Sequence, residues 1–182
     1  SDKVILMMKE TPHDFFLTHP DNSYIRKMNR PTIVEFDSGN EYSGQGVVAN
    51  TWPEYTMKRW GSYINCPNVT GYVARTDRYG DTSIVGTANE IQLYALKRMT
   101  EEQTVSPMQI YNEFITSRYG EDALLPIRKA FQNAYDIVTS VFYTLGTNLT
   151  DHSSLNYENN KWGYSRHVSG RWIDPPMVLV KH

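Results

Sequence analysis

Apolar residues fall in short blocks along the first half of this chain and at helical spacing along the second. VILMM (Val4 to Met8) runs without alternation and closes on Lys9-Glu10-Thr11-Pro12, the pattern of a strand buried on both faces. Residues 12 to 30 carry two prolines, two histidines and scattered charge, and read as a long connection with one helical turn. TIVEF (Thr32 to Phe36) is a second strand, opened by Pro31 and closed by the turn residues Asp37-Ser38-Gly39-Asn40. WPEYTMKRWGSYI (Trp52 to Ile64) has Pro53 where a first helical turn tolerates it, which predicts a short helix. TGYVA (Thr70 to Ala74) predicts a third strand, followed by a loop over 75 to 81.

The period then changes. Ile91, Leu93, Tyr94, Ala95 and Leu96 predict a buried helix over Asn89 to Met99, with Lys97-Arg98 at its negative end. Ser106-Pro107 opens another, Met108 to Arg118, which Gly120 stops. Leu124, Ile127, Phe131, Ala134, Val138, Val141, Phe142 and Leu145 hold the three-four repeat, predicting one helix of about six turns. Beyond Thr147 the chain is polar and aromatic until a final apolar run, Met177 to Val180. Three short parallel strands with long crossovers followed by helices make an α/β chain, with residues 1–86 as the strand part and 87–182 as the helical region with an aromatic-rich tail. Three strands do not close a barrel that needs eight, so the expectation is a C-terminal fragment of a (β/α)8-type barrel followed by a mainly α-helical region.

Composition narrows the function. The net charge of -2, with Lys and Arg spread thinly, argues against a nucleic-acid groove, which requires clustered cations. No apolar run approaches the ~20 residues that cross a bilayer, so no membrane partner is expected. The single cysteine, Cys66, has no partner for a disulfide or a zinc site, and no cofactor or metal is expected. The redox compartment stays open between a bacterial periplasm and the cytoplasm. With 13 Tyr and 4 Trp the chain is aromatic-rich, which fits either a surface that grips sugars or a Tyr-lined core.

The chemistry-bearing residues follow the strands. Asp14 lies six residues beyond Met8, and Glu41 five beyond Phe36. Loops at the carboxyl ends of parallel barrel strands converge on one face, so these two can meet. Hydrolysing a glycosidic bond needs such a pair, one protonated carboxyl for the leaving group and one carboxylate for the water or sugar. Solvated turn carboxylates are the plain alternative at both positions.

NEYSGQ (Asn40 to Gln45), preceded by VEF (Val34 to Phe36), resembles the EFQxxQEYxGQ stretch of the α-glucuronidases of glycoside hydrolase family 67. VILMMKETPHDF resembles that family's upstream strand, which carries a catalytic Asp at the position of Asp14. TGYVAR and GTANEIQLYALKRMTEEQTVSPMQIYNEFITSRYG resemble its last barrel strand and the start of its helical region, so the likeness runs in order over residues 4 to 145. The resemblance implies an inverting glycoside hydrolase acting on uronic-acid side groups of xylan-like plant polysaccharide. It implies that Asp14 and Glu41 activate the attacking water, that Glu35 and Asp37 do not, and that the general acid comes from an earlier strand, leaving this chain inactive alone. Over residues 151–164 the chain (DHSSLNYENNKWGY) departs from the family's His-His-Tyr-Gly-Pro-like segment.

Five further residues are candidates for substrate binding. Arg75 and Arg78, after the third strand, either fork onto a substrate carboxylate or form surface ion pairs. His13, beside Asp14, either tunes it or is a turn residue. Trp162 and Trp172 either wall a sugar site or pin the tail to the helices. The partner expected is a carbohydrate, with a homodimer as a further possibility. Another exo-glycosidase, or a non-catalytic carbohydrate-binding module, are the alternatives.

Overall fold

The computed structural model describes residues 3–44, 48–78 and 82–143. Three strands, β1 (Leu6–Lys9), β2 (Thr32–Phe36) and β3 (Val69–Ala74), form one parallel sheet in chain order, with β2 in the centre. The crossover from β1 to β2 holds only a 3-10 turn at Ile25–Lys27, while that from β2 to β3 contains helix α1 (Pro53–Gly61). A two-stranded antiparallel ribbon, β4 (Asp77–Arg78) with β5 (Thr82–Ser83), stands where the sequence pattern predicts only loop.

Side-chain alternation gives the parallel sheet two unlike faces. Met8, Val34 and Tyr72 share one level of the register and pack with Phe36, Trp60, Tyr63 and Leu96 under α1 and α2 (Ile91–Glu101). Met7, Ile33 and Gly71 occupy the opposite face, as do Lys9, Glu35 and Val73 one pleat further on. Met7 is 63% exposed, which corrects the expectation that the first strand is buried on both faces. Strand β1, one of the two edge strands, is covered by helix on one side alone among the described residues.

The helices follow their local signals. In α3 (Pro107–Tyr119) Ser106 and Gln109 close a reciprocal capping box, and Gly120 ends the helix at φ +87°. The single long helix predicted beyond it is instead two, α4 (Leu124–Gln132) and α5 (Ala134–Phe142), hinged at Asn133. Asparagine is a weak helix former, and the break serves packing. Phe131 of α4 joins Ile91, Ala95, Ile110, Phe114 and Ile115 in one cluster. Ala134, Val138 and Phe142 of α5 turn to a second, against Phe15, Phe16, Leu17, Tyr42 and Trp52. Val141, counted on the apolar stripe from its spacing, is 52% exposed, and Leu145 lies outside the described residues. All three apolar clusters combine residues from both sides of position 86.

Candidate active site

The loops that leave β1 and β2 at their carboxyl ends carry Asp14 and Glu41, and they come together. The Tyr42 hydroxyl, one residue past Glu41, donates to Asp14 Oδ2 at 2.6 Å. The other oxygen, Oδ1, accepts from Lys9 Nζ at 2.6 Å and from the Phe15 N–H at 3.0 Å. Burial alone would push this carboxyl up, but the bonds from Lys9 and Tyr42, the Lys9 charge and the Phe15 amide outweigh it and hold it below the usual carboxylate range. Asp14 is therefore ionised and oriented at neutral pH.

Glu41 is more deeply buried. Its Oε2 lies 3.3 Å from Arg75 Nη1, and its backbone N–H donates to Asp37 Oδ2 at 2.6 Å. Arg75 stands at the end of β3 and also approaches Glu35 Oε1 at 4.0 Å. Lys9 and Arg75 both lie over the ring of Phe15, at 4.7 and 5.9 Å from its centre. The ends of three adjacent strands thus bring two carboxylates and two cations around one aromatic ring.

The β1 loop, from Glu10 to Asn22, is fastened from beneath by α1. Arg59, buried in that helix, donates to Asp21 Oδ1 at 3.0 Å, to the Leu17 carbonyl at 3.3 Å and to the His19 carbonyl. It also pairs with Glu10 Oε2 at 3.3 Å. Burial pushes the Glu10 carboxyl up to about 7, although Arg59 opposes the shift. Tyr63 donates to the Glu10 carbonyl and accepts from the Asn22 N–H at 2.6 Å.

Amides hold the β2 loop. Asn40 takes a left-handed conformation, φ 61°, and its Oδ1 accepts from Gln92 Nε2 at 3.0 Å. The same Gln92 amide donates to the Asn50 carbonyl at 2.7 Å, and Asn89 accepts from the Asn50 N–H at 2.8 Å. Gly44 sits at φ +97°, where an added Cβ would clash with Val48 Cγ2. The first turn of α2 and the residues before it thus brace the chain on either side of Glu41.

The remaining candidates are dispersed. His13 is exposed, with its ring edge-on to His19 at 6.2 Å. His19 is buried and meets the backbone carbonyl of Asp14 at 3.2 Å through Nδ1. Arg78 contributes backbone to β4, opposite Thr82. Trp162 and Trp172 lie outside the described residues. Two open clefts of about 360 and 370 Å3 share Tyr55, Lys58 and Tyr135 as a wall, and neither Asp14 nor Glu41 lines them. No group of His, Cys, Asp or Glu suited to a metal ion occurs among the described residues.

Sequence pattern alone does not single out Lys9 or Tyr42. The signal was there in outline, since Lys9 precedes the turn carrying Asp14 and Tyr42 adjoins Glu41 inside the NEYSGQ stretch. No protein-family model and no curated protein matches the chain.

Proposed function

We propose that this chain carries the water-activating part of a glycoside hydrolase of the α-glucuronidase type, with Asp14 and Glu41 as the carboxylates that serve the attacking water. The observation that carries this reading is the junction of the two loops, in which the residue next to Glu41 donates to Asp14 at 2.6 Å. An inverting displacement needs an ionised carboxylate to take a proton from water as its oxygen attacks the anomeric carbon. Asp14, kept ionised by three donors, suits that task, and Glu41 lies in the adjoining loop to share the water.

The two-faced sheet supports the finer fold reading. In a (β/α)8-type barrel the strands run parallel in chain order, with helices outside and side chains filling the interior. On that reading Met7, Ile33 and Val73 belong to the barrel interior, and Lys9 and Glu35 point into it near the catalytic mouth. The acid that protonates the leaving oxygen then belongs to an earlier strand. The substrate class is a uronic-acid side group on plant polysaccharide or on an oligosaccharide released from it.

The test uses the polypeptide that carries the whole barrel, assayed on uronate-substituted xylo-oligosaccharides and on neutral glycosides. Asp14→Asn and Glu41→Gln are each expected to lower kcat by roughly a hundredfold or more. Retention of full kcat in both variants would sink the catalytic reading. A second reading, a carbohydrate-binding module without catalysis, is favoured by one observation: each carboxylate already has a cation, Lys9 for Asp14 and Arg75 for Glu41. It predicts glycan binding that survives both substitutions, with no release of sugar by any form of the protein.

A further inference from the structure

We propose that Tyr143, the residue that ends α5, is a positioning residue that clasps the two carboxylate-bearing loops together and acts on Asp14 through Tyr42. The inference rests on the catalytic reading above for its meaning, and on geometry for its existence. The Tyr143 hydroxyl donates to the Tyr42 carbonyl at 2.9 Å and accepts from the Leu17 N–H at 3.2 Å. One phenol thus uses its single proton on the β2 loop and its oxygen lone pair on the β1 loop.

These bonds close a ring. Tyr143 holds the Tyr42 backbone, the Tyr42 hydroxyl holds Asp14 Oδ2, and the chain from Asp14 through Phe15 and Phe16 returns to Leu17, which holds Tyr143. The interior of the ring is packed, since the Phe16 and Tyr42 rings lie 4.2 Å apart at 36°. Tyr143 itself is 7% exposed and continues the Ala134, Val138 and Phe142 stripe that α5 lays against Phe15, Phe16 and Leu17. The groups facing Asp14 are Lys9 from β1, Tyr42 from the β2 loop, His19 at its backbone carbonyl and, across the Phe15 ring, Arg75 from the end of β3. Tyr143 meets the Asp14 segment at Leu17 and the β2 loop at Tyr42, and it is the Tyr42 hydroxyl that reaches the Asp14 carboxylate itself. A shift of either loop would change where the two carboxylates point, and small misplacements of reacting groups cost large factors in rate.

The experiment compares Tyr143→Phe, Tyr42→Phe and the double variant in the full polypeptide. The Asp14 carboxyl is followed by carbon-13 NMR titration, assigned with Asp14→Asn. Tyr42→Phe is expected to raise the Asp14 pKa, and Tyr143→Phe to raise it by less. In the Tyr42→Phe background, adding Tyr143→Phe is expected to change the titration no further. Hydrogen exchange at the Leu17 amide should quicken in Tyr143→Phe. Its kcat should fall roughly ten- to a hundredfold while KM stays within about twofold.

A Tyr143→Phe protein that is merely less stable, with wild-type Asp14 titration and wild-type kcat, overturns the proposal. So does an Asp14 shift that adds in full to that of Tyr42→Phe. If Tyr143→Phe does not fold, Tyr42→Phe, which leaves both Tyr143 bonds in place, decides by whether Asp14 titrates differently from wild type. If Asp14→Asn and Glu41→Gln both keep full kcat, the hydrolase reading fails, while titration and exchange still judge the clasp.

Discussion

The two loops that meet at the candidate site are held by different chemistry. Beneath the β1 loop lie ionisable groups, with Arg59 spanning Glu10, Asp21 and two backbone carbonyls. Behind the β2 loop stand amides, Gln92, Asn40, Asn50 and Asn89, whose hydrogen bonds carry no net charge. A buried guanidinium reaches four partners at once but ties the loop to the titration of its carboxylates, whereas an amide network is indifferent to pH. The amides behind the β2 loop do not titrate, so the pH sensitivity of that side is left to Asp37, which accepts from the Glu41 N–H, and to the Arg75–Glu41 pair.

The contrast is broken most severely at Arg59. Arg59→Met leaves Glu10 and the loop carbonyls without their buried cation, and should cost about 3–5 kcal/mol in urea unfolding. A loss below about 1 kcal/mol would mean the loop is held by the apolar contacts of Phe15, Phe16 and Leu17 instead.

Glu10 sharpens the comparison through pH. Its folded pKa, about 7, stands above the ordinary 4.5, so the folded protein binds the proton more tightly than the unfolded chain does. This contribution to stability is fully present below about 4.5 and is lost as pH rises through 7. At about 1.4 kcal/mol per pH unit, the loss across that window is on the order of 3 kcal/mol. Glu10→Gln should flatten the unfolding free energy between pH 5 and 7, and a slope unchanged from wild type would remove Glu10 from the account. Asp14 and Asp21, whose pKa values are lowered, act in the opposite sense and only at more acidic pH.

On the amide side the expected effect is smaller and flat. Gln92→Leu removes donors to Asn40 and to the Asn50 carbonyl and should cost about 1–3 kcal/mol, equally at pH 5 and pH 8. A cost that varied with pH would show that the β2 loop shares the charged support.

Much of the frame is legible in the sequence because its signals are local. Ser106-Pro107 with Gln109 forecasts the start of α3, Gly120 its end, and the TIVEF block its strand, each through the chemistry of a few adjacent residues. The hinge at Asn133 is not legible, since the apolar stripe continues across it in register. The two separate clusters, one taking Phe131 and the other Val138, show what the break at this weak helix former serves, and they exist only in the folded chain. Carboxylates after strands are visible by position, but their partners are not. Arg59 reads from sequence as a charge near a helix end, and its burial under a loop forty residues earlier is a tertiary fact. Tyr143 likewise reads as one more aromatic on a helix.

The clasp joins residues far apart along the chain: Tyr143 binds partners 126 and 101 positions earlier. Contacts of such separation form only after much of the loop entropy between them has been spent. During synthesis, the two loops exist long before the tyrosine that ties them has left the ribosome. The site is thus completed from the C-terminal side, and a chain cut short before α5 would carry both carboxylates and their separate supports yet lack the Tyr143 bonds that tie the two loops to each other.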